Sequence, residues 1–145
     1  MVCVTKEALA MTNESEGEVR ISSEGDLVTA RRRVRDAAVA MDFGVTDVTR
    51  IVTAASELTR NVFRYAGAGV MYWREVNTGE HVGIELTFVD SGPGIPDIEQ
   101  AMEMGYTTSG GLGLGLPGAK RLMDEMEIES AVGKGTRVTV KKWRR

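Results

Sequence analysis

The sequence has little of what several common chemistries require. Of its 145 residues, one is cysteine and one is histidine. The lone Cys3 excludes an internal disulfide and a cysteine-rich metal site, and it fits a reducing, cytoplasmic setting. The lone His81 excludes Ser-His-Asp triads and multi-histidine metal sites, and it leaves little room for autophosphorylation on histidine. Because it follows "NTGE", between two strand-like runs, it reads as a solvated turn residue. No apolar run approaches the ~18 residues of a membrane span, so no membrane association is expected. The first residues lack the charged start, apolar stretch and cleavage site of a secretory signal. The formal net charge of −3 argues against nucleic acid as the main partner. The basic tail Lys141, Lys142, Arg144, Arg145 reads as a solvated end.

What is present suits one soluble domain: 42% apolar and 27% charged residues in a chain long enough for a single core. Residues 1–17 are polar and aperiodic and read as a flexible N-terminal tail, with the folded domain spanning 18–145. "VRIS" (Val19–Ser22) reads as an edge strand. Leu27, Ala30, Val34, Ala37, Ala38 and Met41 recur at helical spacing, with Gly44 as the stop. Val48, Ile51, Ala55, Leu58 and Val62 form the stripe of a second helix, from about Thr46 to Tyr65. A hairpin follows with its turn at Asn77-Thr78-Gly79. A short helix is expected from Pro96 to Met104, then a helix in "PGAKRLMDEM", then a final hairpin turning at Gly133-Lys134-Gly135. The order β-α-α-β-β-α-α-β-β predicts a two-layer α/β sandwich, a mixed, mostly antiparallel sheet covered on one face by helices.

Residues 109–118, "SGGLGLGLPG", hold five glycines. Gly113, Gly115 and Gly118 satisfy the dinucleotide pattern G-x-G-x-x-G in the wrong context. No apolar strand precedes them, and ~20 residues later lies the Gly133 turn rather than an acidic residue. The phosphate-loop pattern fails too, since Gly133-Lys134 is followed by Gly135, and the signatures of eukaryotic-type kinases are absent. The physics survives the failed patterns. Glycines ahead of a helix let backbone N–H groups approach an anion, Pro117 suits a helix start, and Thr107, Thr108 and Ser109 add hydroxyls. A ligand-free surface loop fits this segment equally well.

Three further stretches bear on it. In "ELTRN", Glu57 and Asn61 lie four apart and project from one helix face, away from the apolar stripe. In "VDSGPGIP", Asp90 ends an apolar strand, and Gly92 and Gly94 clear space beside it. In "GKGT", Thr136 starts the last strand. Singly, each also fits a solvated helix face, an aspartate-led turn or a plain hairpin loop.

Together, E-x-x-x-N, D-x-G-x-G, a G-x-G-x-G segment and G-x-G-T, in that order, resemble the Bergerat ATP-binding fold shared by gyrase, Hsp90, sensor histidine kinases and MutL. The resemblance runs from about Val19 to the C-terminus. Within that superfamily, "SELTRN", "DSGPGIPD", "TTSGGLGLGLPGAKRLMDE" and "GKGT" are most similar to the RsbT-type bacterial switch kinases, small serine/threonine kinases related to anti-sigma factors. The resemblance implies ATP and Mg²⁺ as cofactors, with Asn61 as the metal ligand and Glu57 as the general base. It implies Asp90 as acceptor of the adenine amino group, with Gly92 and Gly94 beside the purine and Thr136 holding it through water. Thr107, Thr108, Ser109, Gly111, Gly113, Leu114 and Gly115 would belong to a lid over the phosphates. The implied substrate is a serine of a STAS-domain antagonist in a partner-switching stress pathway, after which the kinase is released to bind a phosphatase activator. An anti-sigma factor acting by nucleotide-dependent sequestration would carry the same boxes. A detached histidine-kinase domain and an ATPase clamp are the remaining alternatives.

Overall fold

The computed structural model describes residues 15–103 and 115–145. Its elements run β1 (Glu16–Ile21), α1 (Gly25–Ala40), α2 (Val45–Asn61), a π-helical turn (Val62–Ala66), β2 (Gly69–Asn77), β3 (Val82–Asp90), α3 (Ile98–Ala101), α4 (Gly115–Leu122), β4 (Glu125–Ala131) and β5 (Gly135–Trp143). The five strands form one sheet in the order β1-β2-β3-β5-β4. All four pairings are antiparallel, in keeping with the two-layer sandwich and mostly antiparallel sheet that the sequence predicts. The physical reason is the connectivity. Two tight hairpins supply two pairings, and the two long excursions return each chain segment antiparallel to its neighbour.

Strand periodicity sorts the side chains into two faces. Toward the helices the register stacks apolar rows: Val19, Met71, Phe88, Val138 and Ile128 occupy one row across the sheet, and Leu86 and Val140 continue the next. Phe88, Leu86, Met71 and Val140 are fully buried. The last row on this face changes character: Ile21, Gly69, Asp90, Thr136, Ser130. The opposite face is charged, and one of its rows alternates in sign across all five strands as Glu16, Arg74, Glu85, Lys141, Glu125. Arg74 Nε lies 2.7 Å from Glu85 and Lys141 Nζ 3.7 Å from the same carboxylate. That contact, first a hydrogen bond and then the charge itself, raises the Arg74 pKa above its ordinary value.

Helix α1 buries Ala30, Val34, Ala37 and Ala38, as its spacing predicts. It ends earlier than expected. Met41 caps it and Asp42 takes the positive φ of 64°, a conformation aspartate tolerates better than most residues. Gly44 is extended and sits at the N-cap of α2 instead. Helix α2 buries Ile51, Ala55 and Leu58. Its final expected turn is π-helical, with Gly67 N–H reaching the Val62 carbonyl at 3.1 Å. Among the described residues the short helix after β3 covers only Ile98–Ala101. Helix α4 stops at Leu122, so that Glu125 and Met126 join β4.

The C-terminal residues are not a solvated end. The alternation of Val138, Val140 and Lys142 turns the Lys142 side chain inward, where it is 6% exposed. Its Nζ lies 3.1 Å from the Leu122 carbonyl, 3.4 Å from Asp124 and 3.8 Å from Asp47. A cation there meets the negative end of α4 and an acidic residue in the first turn of α2. Arg144 donates to the Met41 carbonyl at 2.8 Å, and Arg145 pairs with Asp124. His81 is exposed between β2 and β3, with its ring centroid 6.2 Å from that of Trp143.

Candidate functional site

The polar end row of the sheet lies where the helix layer opens. Asp90 ends β3, between Gly69 of β2 and Thr136 of β5. Its Oδ1 accepts the Gly92 N–H at 2.9 Å. Among the described residues its second oxygen has no partner. This is an aspartate turn whose carboxylate keeps half its accepting capacity for something else.

Around that carboxylate the backbone segments approach too closely for side chains, and glycines stand at the contacts. A Cβ on Gly92 would come within 2.6 Å of the Ala66 Cβ, and one on Gly69 within 2.6 Å of Val62. A Cβ on Gly135 would run into the Asp90 backbone, and Gly135 has a φ of +86°. Gly94, at φ +81°, packs against the backbone of Ala131. The loop after β3 is thereby pinned to the β4–β5 hairpin, and the Gly133 N–H to Pro93 carbonyl bond of 2.9 Å reinforces it. Gly69 has no part in the sequence reading, and Gly135 enters it only in the Gly133-Lys134-Gly135 turn and the G-x-G-T motif. Their signal was the strand position itself, since glycine inside a strand marks a close backbone approach.

The last turn of α2 supplies the second half. Glu57 and Asn61 share a face, both partly buried, while Ile51, Ala55 and Leu58 point into the core. Glu57 Oε2 accepts from Arg60 Nη1 at 2.7 Å, with the carboxylate side chain 18% exposed. The Asn61 amide has no partner among the described residues. A Cβ on Gly115, the first residue of α4, would lie 3.9 Å from its nitrogen. The start of α4 therefore faces Asn61. Val62, the next residue, packs over Gly69 beside Asp90, so the two halves meet through the π-turn.

The sequence-derived residues Glu57, Asn61, Asp90, Gly92, Gly94, Gly115 and Thr136 are thus gathered at one end of the sheet. Thr107, Thr108, Ser109, Gly111, Gly113 and Leu114, together with the lid they would form, lie outside the described residues. So does most of the N-terminal tail. Arg60, Ser130 and Gly69 are additions from the structure.

The donor set fits a phosphate-borne Mg²⁺ better than a protein-only metal. Among the described residues no group of three or more His, Cys, Asp or Glu could hold a metal ion. A single amide oxygen at Asn61 matches an ion that keeps most of its shell as phosphates and water. The half-unpaired Asp90 likewise fits a group with a hydrogen-bond donor.

Comparison with known proteins gives the family of the chain. Residues 46–145 match the histidine kinase-, DNA gyrase B- and HSP90-like ATPase family. The chain is 49% identical over 127 residues to the serine/threonine-protein kinase RsbT of Bacillus subtilis (strain 168), covering 88% of this chain and 96% of that protein. It is 33% identical over 120 residues to an anti-sigma F factor of Thermoanaerobacter sp. (strain X514), covering 79% and 82%. The crystal structure of the RsbU and RsbW domains of Rv1364c from Mycobacterium tuberculosis has a similar fold, with a TM-score of 0.61 at 19% identity. That likeness spans 89% of this chain and 33% of the larger one.

Proposed function

The chain belongs to the histidine kinase-, DNA gyrase B- and HSP90-like ATPase family, in its RsbT-type serine/threonine-protein kinase branch, and we propose that it uses Mg-ATP to phosphorylate a serine of a STAS-domain antagonist in a partner-switching pathway, and that it is then released to bind a phosphatase activator. The observation that carries the nucleotide half is the Asp90 environment: one carboxylate oxygen tied to Gly92 and the other without a partner among the described residues, at the polar end row of the sheet beside Thr136. That oxygen accepts the adenine amino group. Thr136, beside it in register, supports the same ring.

Bound Mg²⁺ supplies neutralisation of the phosphate charge. Asn61 would hold it through its amide oxygen, with Gly115 at the start of α4 close by. Phosphoryl transfer needs alignment and charge stabilisation more than covalent help from the protein. Glu57 orients the attacking hydroxyl and accepts its proton. Arg60 holds Glu57 in place at 2.7 Å.

The surface of α1 supports a protein substrate. Val28, Arg32, Arg35 and Val39 fall on one helical stripe and all are exposed. Among the described residues Arg32, Arg33 and Arg35 take no carboxylate partner. Arg31, on the same helix, donates to Ser56 at 3.1 Å, one residue from Glu57. An acidic protein surface with apolar contacts suits this stripe and comes to rest beside the base.

The test is transfer of radiolabelled phosphate from ATP to a co-purified STAS-domain protein, with the phosphosite mapped. Acid-stable phosphoserine supports the reading. A second reading, sequestration of a sigma factor, is favoured by the likeness to anti-sigma F factors. It predicts ATP-dependent capture of a sigma factor without transfer.

A further inference from the structure

Ser130 lies in the same end row as Asp90 and Thr136, and its hydroxyl is the hub of three contacts. It accepts the Ile95 N–H at 2.8 Å, donates to the Gly135 carbonyl at 3.0 Å, and lies 2.8 Å from Thr136 Oγ1. A hydroxyl carries one proton. The Gly135 carbonyl cannot donate, so it takes the Ser130 proton. The Thr136 hydroxyl must then point its own proton at Ser130. That is the arrangement in which every contact is satisfied, and it leaves Thr136 with lone pairs only toward the open side of the row, next to Asp90.

We propose that Ser130 is a specificity-determining positioning residue: by taking the Thr136 proton it makes the base pocket an acceptor-only surface that selects a 6-amino purine over a 6-oxo purine. This rests on the reading that the Asp90 row holds the purine. Asp90 offers an acceptor oxygen, and Thr136 offers a second one beside it. A 6-amino group in direct contact donates to either acceptor. A 6-oxo group presents its own lone pairs to the same atoms and is opposed. Without Ser130 the Thr136 hydroxyl would be free to turn and donate to a 6-oxo group, and the opposition would be relieved. A polar group matched to one partner rejects another chiefly through the contact left unmade.

The experiment measures the dissociation constants of the full chain for Mg-ATP and Mg-ITP by calorimetry. It compares the wild type with Ser130→Ala, Thr136→Val and the double variant. Ser130→Ala is expected to reduce the ATP-over-ITP preference about tenfold, the scale of one hydrogen bond. On the Thr136→Val background Ser130→Ala is expected to leave the ratio where it is, because the hydroxyl it orients is gone. A merely structural role for Ser130 would weaken both nucleotides together and keep the ratio. A retained ratio in Ser130→Ala, or a further fall in the double variant, overturns the proposal. If the wild type binds neither nucleotide, the purine reading itself fails instead.

Discussion

Asp90 and Thr136 are cross-strand partners at the ends of β3 and β5, and both side chains face the helix layer. Two rows away on the same face, Leu86 and Val140 are partners and fully buried. The site is therefore the continuation of the core's own register, at the row where apolar side chains give way to polar ones. Strand pairing that builds the core also sets the spacing of Asp90 and Thr136.

Glu57→Ala is expected to retain nucleotide binding and to lower phosphoryl transfer by roughly 10²- to 10⁴-fold, the usual worth of a general base. Single-turnover transfer to the protein substrate measures it. Transfer at the wild-type rate removes Glu57 from the mechanism.

Charge reversal on the α1 stripe, Arg32→Glu with Arg35→Glu, is expected to weaken binding of the acidic protein substrate by about tenfold or more, as interfacial charge juxtaposition does. Both positions are exposed, so little stability should be lost. Titration of the protein substrate onto the ATP-loaded kinase reads the effect. An unchanged affinity places the docking surface elsewhere.

Much of the candidate site was legible because its motifs together resemble a known family and local rules place their residues. Glu57 and Asn61 need only helical spacing, and Asp90 with Gly92 needs only a strand end and a turn. Other features depend on partners remote in sequence. The end of α1 falls on Asp42 rather than Gly44 because Gly44 serves the following helix. Ser130 reads as an ordinary strand residue until β4 and the loop after β3 are brought together around Ile95. Lys142 was legible in principle, since it continues the alternation of Val138 and Val140. Charges near a chain end are usually solvated, and that expectation masked the pattern.

Lys142→Ala is expected to destabilise the fold by about 2 kcal/mol, since the Leu122 carbonyl and the inward side of both carboxylates lose their donor while Arg50 still pairs with Asp47 and Arg145 with Asp124. Asp47 and Asp124 would be left with side chains 18% and 17% exposed and no inward cation. Urea denaturation measures the change. A loss no larger than that of Lys134→Ala, at an exposed turn, would show that the cluster contributes nothing.

The same cluster gives a pH dependence. Burial works to raise the Asp124 pKa, but the Trp143 N–H and the charges of Lys142 and Arg145 outweigh it and hold the carboxyl below its usual value. A depressed folded pKa adds stability above the unfolded value and loses it as pH falls through the folded one. The gap in Tm between wild type and Asp124→Asn should therefore be steady from roughly pH 7 to 5 and close below about pH 4. A gap that widens on acidification contradicts the sign.

The central claim is that one end of this sheet holds a magnesium-bound adenine nucleotide through Asp90 and Asn61. Calorimetric titration of the full chain with ATP, with and without Mg²⁺, tests it most directly. The account predicts saturable one-site binding that weakens when Mg²⁺ is withheld, that Asn61→Ala makes insensitive to Mg²⁺, and that Asp90→Asn weakens by roughly tenfold to a hundredfold, the scale of a hydrogen bond to a charged acceptor. No heat with ATP and Mg²⁺, or binding unaltered in both variants, would contradict it.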